Sequence, residues 1–427
     1  MKDKTKEKKM RQLEDPTFFY ISFSQHSGHP AEEIIKTGDY VKRFQLIGES
    51  KGNISAKIHS PVSGNVKEIT EKVMSDGQSV KVAVIENDFR YIEAETAKRE
   101  IKDAGNYSAK ELLEIIENAG IAGEGGAQFP THIKYNVKDK NIKNLILNGA
   151  ECEPYLTCDY TLMKEYTKEL FEGIKIITGI LEPENIILAI DEKYSGLESE
   201  FTKYNMENVK IVTVSDIYPQ GSEQLLINRI FNKELPKSKL PAEEGIIVSN
   251  VGTVKAVYEA FVYGKPLVER IVTISGEKSG EYGNYIIKTG TPLSHIIKET
   301  GLKDRPENVR MIFGGPMMGN EIRDLKTGIM KGTSGVLFLS REPDKTERKN
   351  CILCGYCSEV CPVYLMPMKF EEFYRKKKYK KLLEFNLNSC IECGACEYVC
   401  PSRVALIESI KSGKKELARE KGGKING

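Results

Sequence analysis

The chain contains no tryptophan, five histidines and no uninterrupted apolar run of the roughly 18 residues that a membrane-spanning helix needs. Direct membrane insertion is therefore not expected, and attachment to a membrane would have to run through a partner. The histidines, His26, His29, His59, His132 and His295, do not stand at metal-ligand or catalytic spacing, which argues against histidine-based metal or hydrolytic chemistry. Charge of one sign is also lacking: 63 Lys and Arg against 61 Asp and Glu leave a formal +2. Such a balance gives no reason to expect a nucleic-acid partner. Basic residues do gather at Lys2, Lys4, Lys6, Lys8, Lys9 and Arg11. No apolar stretch follows them as in a secretory signal, so residues 1–17 are expected to form a disordered basic tail. A cytoplasmic, reducing location follows as an expectation, and it argues against a disulfide framework.

What the chain does have is cysteine, ten in all, eight of them between positions 351 and 400. Cys351, Cys354, Cys357 and Cys361 form C-x2-C-x2-C-x3-C and are followed by Pro362; Cys390, Cys393, Cys396 and Cys400 repeat the pattern before Pro401. This is the bacterial ferredoxin run, in which the fourth cysteine of each motif ligates the other cluster. On that pattern Cys351, Cys354, Cys357 and Cys400 hold one [4Fe-4S] cluster, and Cys390, Cys393, Cys396 and Cys361 hold a second. Zinc would need only four ligands in C-x2-C pairs, without the third step or the crossed cysteine. The intervening Tyr364 to Asn388, rich in Lys, Glu, Phe and Tyr, reads as one or two helices. Cys152 and Cys158 lie apart and are expected to be buried and inert.

The rest of the chain changes character three times. Residues 18–92 read as β structure and resemble a biotinyl/lipoyl-type barrel-sandwich; neither Lys51 nor Lys57 stands where a modified lysine would, so the module is expected to be unmodified. Residues 93–264 alternate strand-like NLILNG, NIILAI and KIVTVS with helix-like segments, which implies a Rossmann-like α/β domain with a parallel sheet. Residues 265–341 resemble a soluble-ligand-binding β-grasp (SLBB) module. Residues 342–427 comprise a charged linker, the cysteine domain and a Lys- and Glu-rich tail. The fold class is thus multidomain, α/β and α+β.

A ligand site is suggested by GIAGEGGAQFPTHIK, residues 120–134. Gly120, Gly123, Gly125 and Gly126 permit unusual backbone and close ligand approach, and successive N–H groups there can cradle a phosphate, with Lys134 adding charge. A glycine-rich surface turn is the alternative. Three further segments follow strands, where α/β sheets bind ligands: NGAECEP with Asn148, Glu151 and Glu153, YPQGSE with Tyr218, Gly221 and Glu223, and SNVGT with Asn250 and Thr253.

With GGAQFPTHIKY, NGAECEPYLTCD, YPQGSEQLL and GGPMMG in view, the chain resembles the RnfC-type subunit of ferredoxin:NAD oxidoreductase complexes over residues 18–410. More distantly it resembles the flavin- and NADH-binding subunit of respiratory complex I. The resemblance implies FMN on Gly120, Gly123, Gly125, Gly126 and Lys134, with Asn148 and Glu151 at the flavin edge or ribityl chain. It further implies Tyr218 and Gly221 closing the pocket, and Glu223, Asn250 and Thr253 near the phosphate. Phe129 would stack on the adenine of NADH and Glu153 would approach its nicotinamide half. No side chain is implied as acid, base or nucleophile. Partners would be a ferredoxin, membrane Rnf subunits or a reductase, with location cytoplasmic or peripheral on the inner membrane face. Soluble relatives serving a proline reductase or a cobalamin reductase, and a cluster scaffold with a decayed flavin site, are the rival readings. Glu124 departs from the complex I pattern, which has arginine there, and is expected to repel dinucleotide phosphates.

Overall fold

A computed structural model describes residues 2–73, 79–137, 140–204, 208–236, 239–341 and 349–422. Residues 342–348 of the expected linker lie outside these. The chain forms two compact units: residues 1–221, 238–315 and 320–340 in one, and residues 222–237, 316–319 and 341–427 in the other.

In the first unit, Phe18–Ser22, Ser79–Asn87, Gly64–Val73 and Tyr40–Val41 pair in that order, and Glu32–Glu33, Leu46–Glu49 and Ile58–His59 make a second, three-stranded sheet. Phe19 and Ile21 are buried at alternate positions, as a pleated strand with one core face requires, and they pack with Phe23, Ile47, Ile58 and Ile85. Lys51 pairs with Glu32 at 2.8 Å and Lys57 reaches Asn118 Oδ1 at 3.0 Å.

The second module is a four-stranded parallel sheet, in the order Val209–Val214, Asn185–Asp191, Asn144–Gly149, Ile246–Asn250. Its central strands are nearly continuous apolar runs because helices such as Thr167–Leu181 and Val251–Tyr263 cover them. The pairing sets Asn148 beside Ala189 on one side and beside Asn250 on the other, so the carboxyl ends of three strands are level.

A six-stranded sheet follows, in the order Arg11–Gln12, Gly283–Lys288, Glu269–Ser275, Gly335–Ser340, Val309–Phe313, Asn320–Glu321, with the amphipathic helix Leu293–Thr300 beside it. Its first strand corrects the expected disordered tail. Residues 2–17 are fastened: Lys2–Lys6 is helical, Thr5 is fully buried, and Thr157 Oγ1 donates to Thr5 Oγ1 at 2.8 Å. Arg11 pairs with Glu281 at 2.9 Å and Leu13 joins the core around Val272 and Tyr285. The run of lysines concealed the two residues that anchor the segment, Thr5 and Leu13.

In the second unit the helices Pro367–Arg375, Tyr379–Glu384 and Leu406–Gly422 pack through Phe370, Leu382, Leu387, Leu406, Ile410 and Leu417 around the cysteine loops. The segment between the motifs is thus two helices. No helix among the described residues is long and apolar enough to cross a membrane.

Candidate flavin and iron-sulfur sites

The glycine-rich loop starts where the helix Ala109–Asn118 ends. Ser108 and Glu111 cap that helix reciprocally, and Gly120 leaves it with φ +61°. A Cβ at Gly120 would stand 2.2 Å from the Lys57 carbonyl oxygen, so glycine is required there by the adjoining β module. The loop closes on itself through an Ala122–Pro130 bridge and a 2.8 Å bond from Gly123 N–H to the Phe129 carbonyl. Ser27 clamps its far side, donating N–H to the Gln128 carbonyl at 3.0 Å and its hydroxyl to the Ala127 carbonyl. Gly126 has no heavy atom within 4 Å of a hypothetical Cβ, and Gly125 meets only Asn250 Cβ at 3.7 Å. Neither has a positive φ. The protein itself therefore gives no steric reason for glycine at these two positions.

Phe129 and Lys134 are half-buried on this loop and the short helix Thr131–Tyr135, whose Tyr135 hydroxyl lies 2.5 Å from Ser249 Oγ. Asn148 is spent on loop architecture: its Nδ2 donates to the Gly221 carbonyl at 2.9 Å and its Oδ1 accepts from Ala150 N–H at 3.0 Å. A Cβ at Gly221 would approach the Ala150 carbonyl oxygen to 2.5 Å, so that glycine lets the two loops touch. Glu151 is buried and turned toward the helix Cys158–Glu165, accepting from Asp159 N–H at 3.2 Å and Tyr160 N–H at 3.4 Å. Glu153 lies against Gly315. Tyr218 is half-buried on the same loop as Gly221. Asn250 caps the helix Val251–Tyr263, accepting from Gly252 N–H at 2.8 Å, and Thr253 Oγ1 accepts from Glu124 N–H at 2.9 Å. Glu223 opens the helix Glu223–Phe231 of the other unit.

Two residues outside the expected set join the strand ends. Asp159 accepts from Asn250 Nδ2 at 2.8 Å, and burial, then the neighbouring Glu151 charge, pushes its carboxyl up to about 8. Asp191, fully buried, lies 3.2 Å from Lys193 Nζ; burial raises its pKa. A single aspartate following Cys158 or ending an apolar strand carries no motif, so the sequence offered little sign of either. Burial also lifts the Cys152 thiol to about 11, consistent with an inert side chain. Glu124 does not face outward: its carboxylate is buried and paired with Arg270. The expected repulsion of dinucleotide phosphates is therefore corrected, because an internal cation neutralises the charge.

The two cysteine motifs have the same backbone. Leu353 and Gly355 have φ +57° and +89°, and Glu392 and Gly394 have +57° and +79°. The fourth cysteines match too: Cys361 Sγ accepts from Leu365 N–H at 3.3 Å and Cys400 Sγ from Val404 N–H at 3.4 Å. Cys351, Cys354, Cys357 and Cys400 line one pocket, whose walls include Ile352, Tyr356, Met368 and Leu406. Burial, followed by the neighbouring Cys393 and Cys361 among other causes, raises the Cys390 thiol. Cys396 is raised by burial first, then by Cys390 and Cys393, with Cys357 and Cys361 further down the order. The pocket thus brings the last cysteine of the second motif to three cysteines of the first. Among the described residues no three His, Cys, Asp or Glu side chains converge on a single ion.

Over 95% of its length the chain is 36% identical to a subunit of the Na(+)-translocating ferredoxin:NAD(+) oxidoreductase complex of Acetobacterium woodii, covering 92% of that protein. It is 38% identical to a subunit of the proton-translocating ferredoxin:NAD(+) oxidoreductase complex of Clostridium ljungdahlii, over 87% of this chain and 82% of that one. Residues 1–90 match the RnfC barrel sandwich hybrid domain. The chain belongs to the RnfC family. Other RnfC-family members are longer: a subunit of the ion-translocating oxidoreductase complex of Haemophilus influenzae is 36% identical over 98% of this chain, which spans only 51% of that relative. Residues 116–259 match the Nuo51 FMN-binding domain, and residues 350–404 the 4Fe-4S dicluster domain. An NAD+-reducing [NiFe]-hydrogenase chain shares the fold, with a TM-score of 0.52 at 16% identity, covering 75% of this chain and 67% of that one.

The residues present fit both groups. The unfilled backbone at Gly125 and Gly126 lies beside the N-terminus of a 13-residue helix, a natural seat for a phosphate. The sulfur-directed N–H bonds and crossed thiols suit two cubes.

Proposed function

We propose that this chain is the RnfC-type electron-transfer subunit that exchanges electrons between NAD(H) and a redox partner through FMN and two [4Fe-4S] clusters. The observation that carries the reading is the coexistence, in one chain, of an open glycine cradle at level strand ends and two crossed cysteine sets. Bound FMN supplies the exchange between a hydride's electron pair and single electrons. The chain's own residues bind and orient. Gly123, Gly125 and Gly126 offer backbone, Lys134 offers charge, and the Asn250–Thr253 turn offers helix N–H groups to the phosphate. Gly120, Asn148 and Gly221 shape the loops around it. Glu151 holds its loop to the helix Cys158–Glu165 and Tyr218 completes the flavin surroundings, while Phe129 and Glu153 serve the NADH side. Cys351, Cys354, Cys357 and Cys400 ligate one cluster; Cys390, Cys393, Cys396 and Cys361 ligate the other.

Cys351 and Cys354 are exposed, whereas Cys393, Cys396 and Cys361 are buried. The cluster on the first set therefore reads as the outlet to a partner, a ferredoxin or another subunit of a membrane complex through which the chain is held at the inner membrane face. We read residues 93–264 as Rossmann-like and 265–341 as an SLBB β-grasp module. The experiment is anaerobic reconstitution with iron, sulfide and FMN, followed by NADH. Flavin absorbance that bleaches on NADH addition, with about eight iron atoms per chain, supports the reading. Reconstituted protein that shows no flavin bands would defeat it.

A further inference from the structure

The glycine-rich loop owes its position to more than its glycines. Every polar group of Glu124, in the middle of the GEGG run, is held by another part of the first unit. Its N–H donates to Thr253 Oγ1 at 2.9 Å. Its carbonyl accepts from Arg270 Nη2 at 3.4 Å, and its carboxylate pairs with the Arg270 guanidinium. Arg270 is 3% exposed and Nε donates on to the Thr333 carbonyl at 3.5 Å. Gly252, the second residue of the helix Val251–Tyr263, is glycine for a related reason: a Cβ there would meet Glu124 Oε2 at 2.4 Å. Glu124 thus ties the loop through its N–H to the helix whose N-terminus faces the open Gly125–Gly126 stretch, and through its carbonyl and carboxylate to the strand Glu269–Ser275, while the carboxylate packs against Gly252.

We propose that Glu124 and Arg270 are positioning residues that fix the glycine cradle against the N-terminus of the helix Val251–Tyr263, and so set FMN affinity without touching the cofactor. This rests on the flavin reading above. A buried pair of this kind is a poor source of stability, since well-packed apolar side chains of similar size commonly replace one without loss. A directional guanidinium–carboxylate contact, by contrast, holds a loop at a defined distance, which apolar contact does not. The two roles are therefore separable.

The test uses deflavinated, cluster-loaded protein titrated with FMN, reading flavin fluorescence quenching and the circular dichroism of the bound flavin. Thermal midpoint and iron content are read alongside. The Glu124→Leu/Arg270→Met double variant should keep its iron and thermal midpoint while weakening FMN by about tenfold or more, with an altered flavin dichroism. Glu124→Gln, which retains the shape and one acceptor, should bind between the two, and Arg270→Lys should bind more weakly than wild type because a point charge lacks the fork. Unchanged FMN affinity and dichroism in both the double variant and Glu124→Gln overturns the proposal. If the double variant fails to fold, Glu124→Gln alone decides. Wild-type protein that takes up no FMN overturns the flavin reading instead.

Discussion

Lys331 Nζ donates to the carbonyls of both Gly120 and Lys57, each at 2.6 Å, and joins three modules at one buried point. Its backbone N–H is taken by Gln25 Oε1 at 3.1 Å. The lysine is 1% exposed, and burial brings its pKa down to about 7. His26 and His59, also pushed down by burial and by the Lys331 charge, are neutral beside it. Lys331→Met strips donors from two buried carbonyls, at a cost of about 1–3 kcal/mol each; urea melts should show it. The pH dependence has a definite sign. The folded pKa is depressed, so between about 7 and the usual 10.5 the unfolded chain binds more protons. Wild-type stability should therefore rise with pH through that window relative to Lys331→Met, by at most about 1.4 kcal/mol per pH unit. A pH-independent difference between the two proteins would contradict it.

Gly125→Val adds a side chain where only Asn250 Cβ lies within 4 Å. The apoprotein has room for it, so folding and iron content should stay near wild type. FMN uptake should fall by about a hundredfold or be lost, as expected for a displaced ligand. Fluorescence titration checks this, and normal FMN affinity would show that the cradle lies elsewhere.

Cys393→Ser removes one ligand from the inner thiol set. Reduction of flavin by NADH should persist, while reduction of a one-electron acceptor should drop to background. Iron analysis should show about four atoms lost per chain. Acceptor reduction at the wild-type rate would place that cluster off the path.

Asp159 is expected to bias stability in the opposite direction to Lys331. Its folded pKa is raised from 3.8 to about 8, so the folded chain binds the extra proton across that window and stability falls as pH rises. Asp159→Asn keeps an acceptor for Asn250 and removes the titration. Urea midpoints at pH 5.5 and 8 should fall less in the variant than in wild type, and equal falls would count against the assignment.

The cysteine spacing alone marked a domain for two cubes, because ligand geometry is local and the loops repeat their backbone. The alternation of strand-like and helix-like segments likewise exposed the parallel sheet, since a helix must carry the chain back between parallel strands. The glycine run marked a ligand loop, but not what each glycine is for. Gly120 and Gly221 answer to neighbouring carbonyls, while Gly125 and Gly126 answer to open space. Those reasons lie across the fold, in residues far apart in sequence. The same holds for the basic N-terminal segment, whose order depends on Thr5 meeting Thr157 and Asn284. Glu124 read as a misplaced charge until Arg270, 146 positions away, was seen beside it. Electrostatics and packing between distant segments are what the tertiary structure decided; the paired cysteine motifs were already written in short-range spacing.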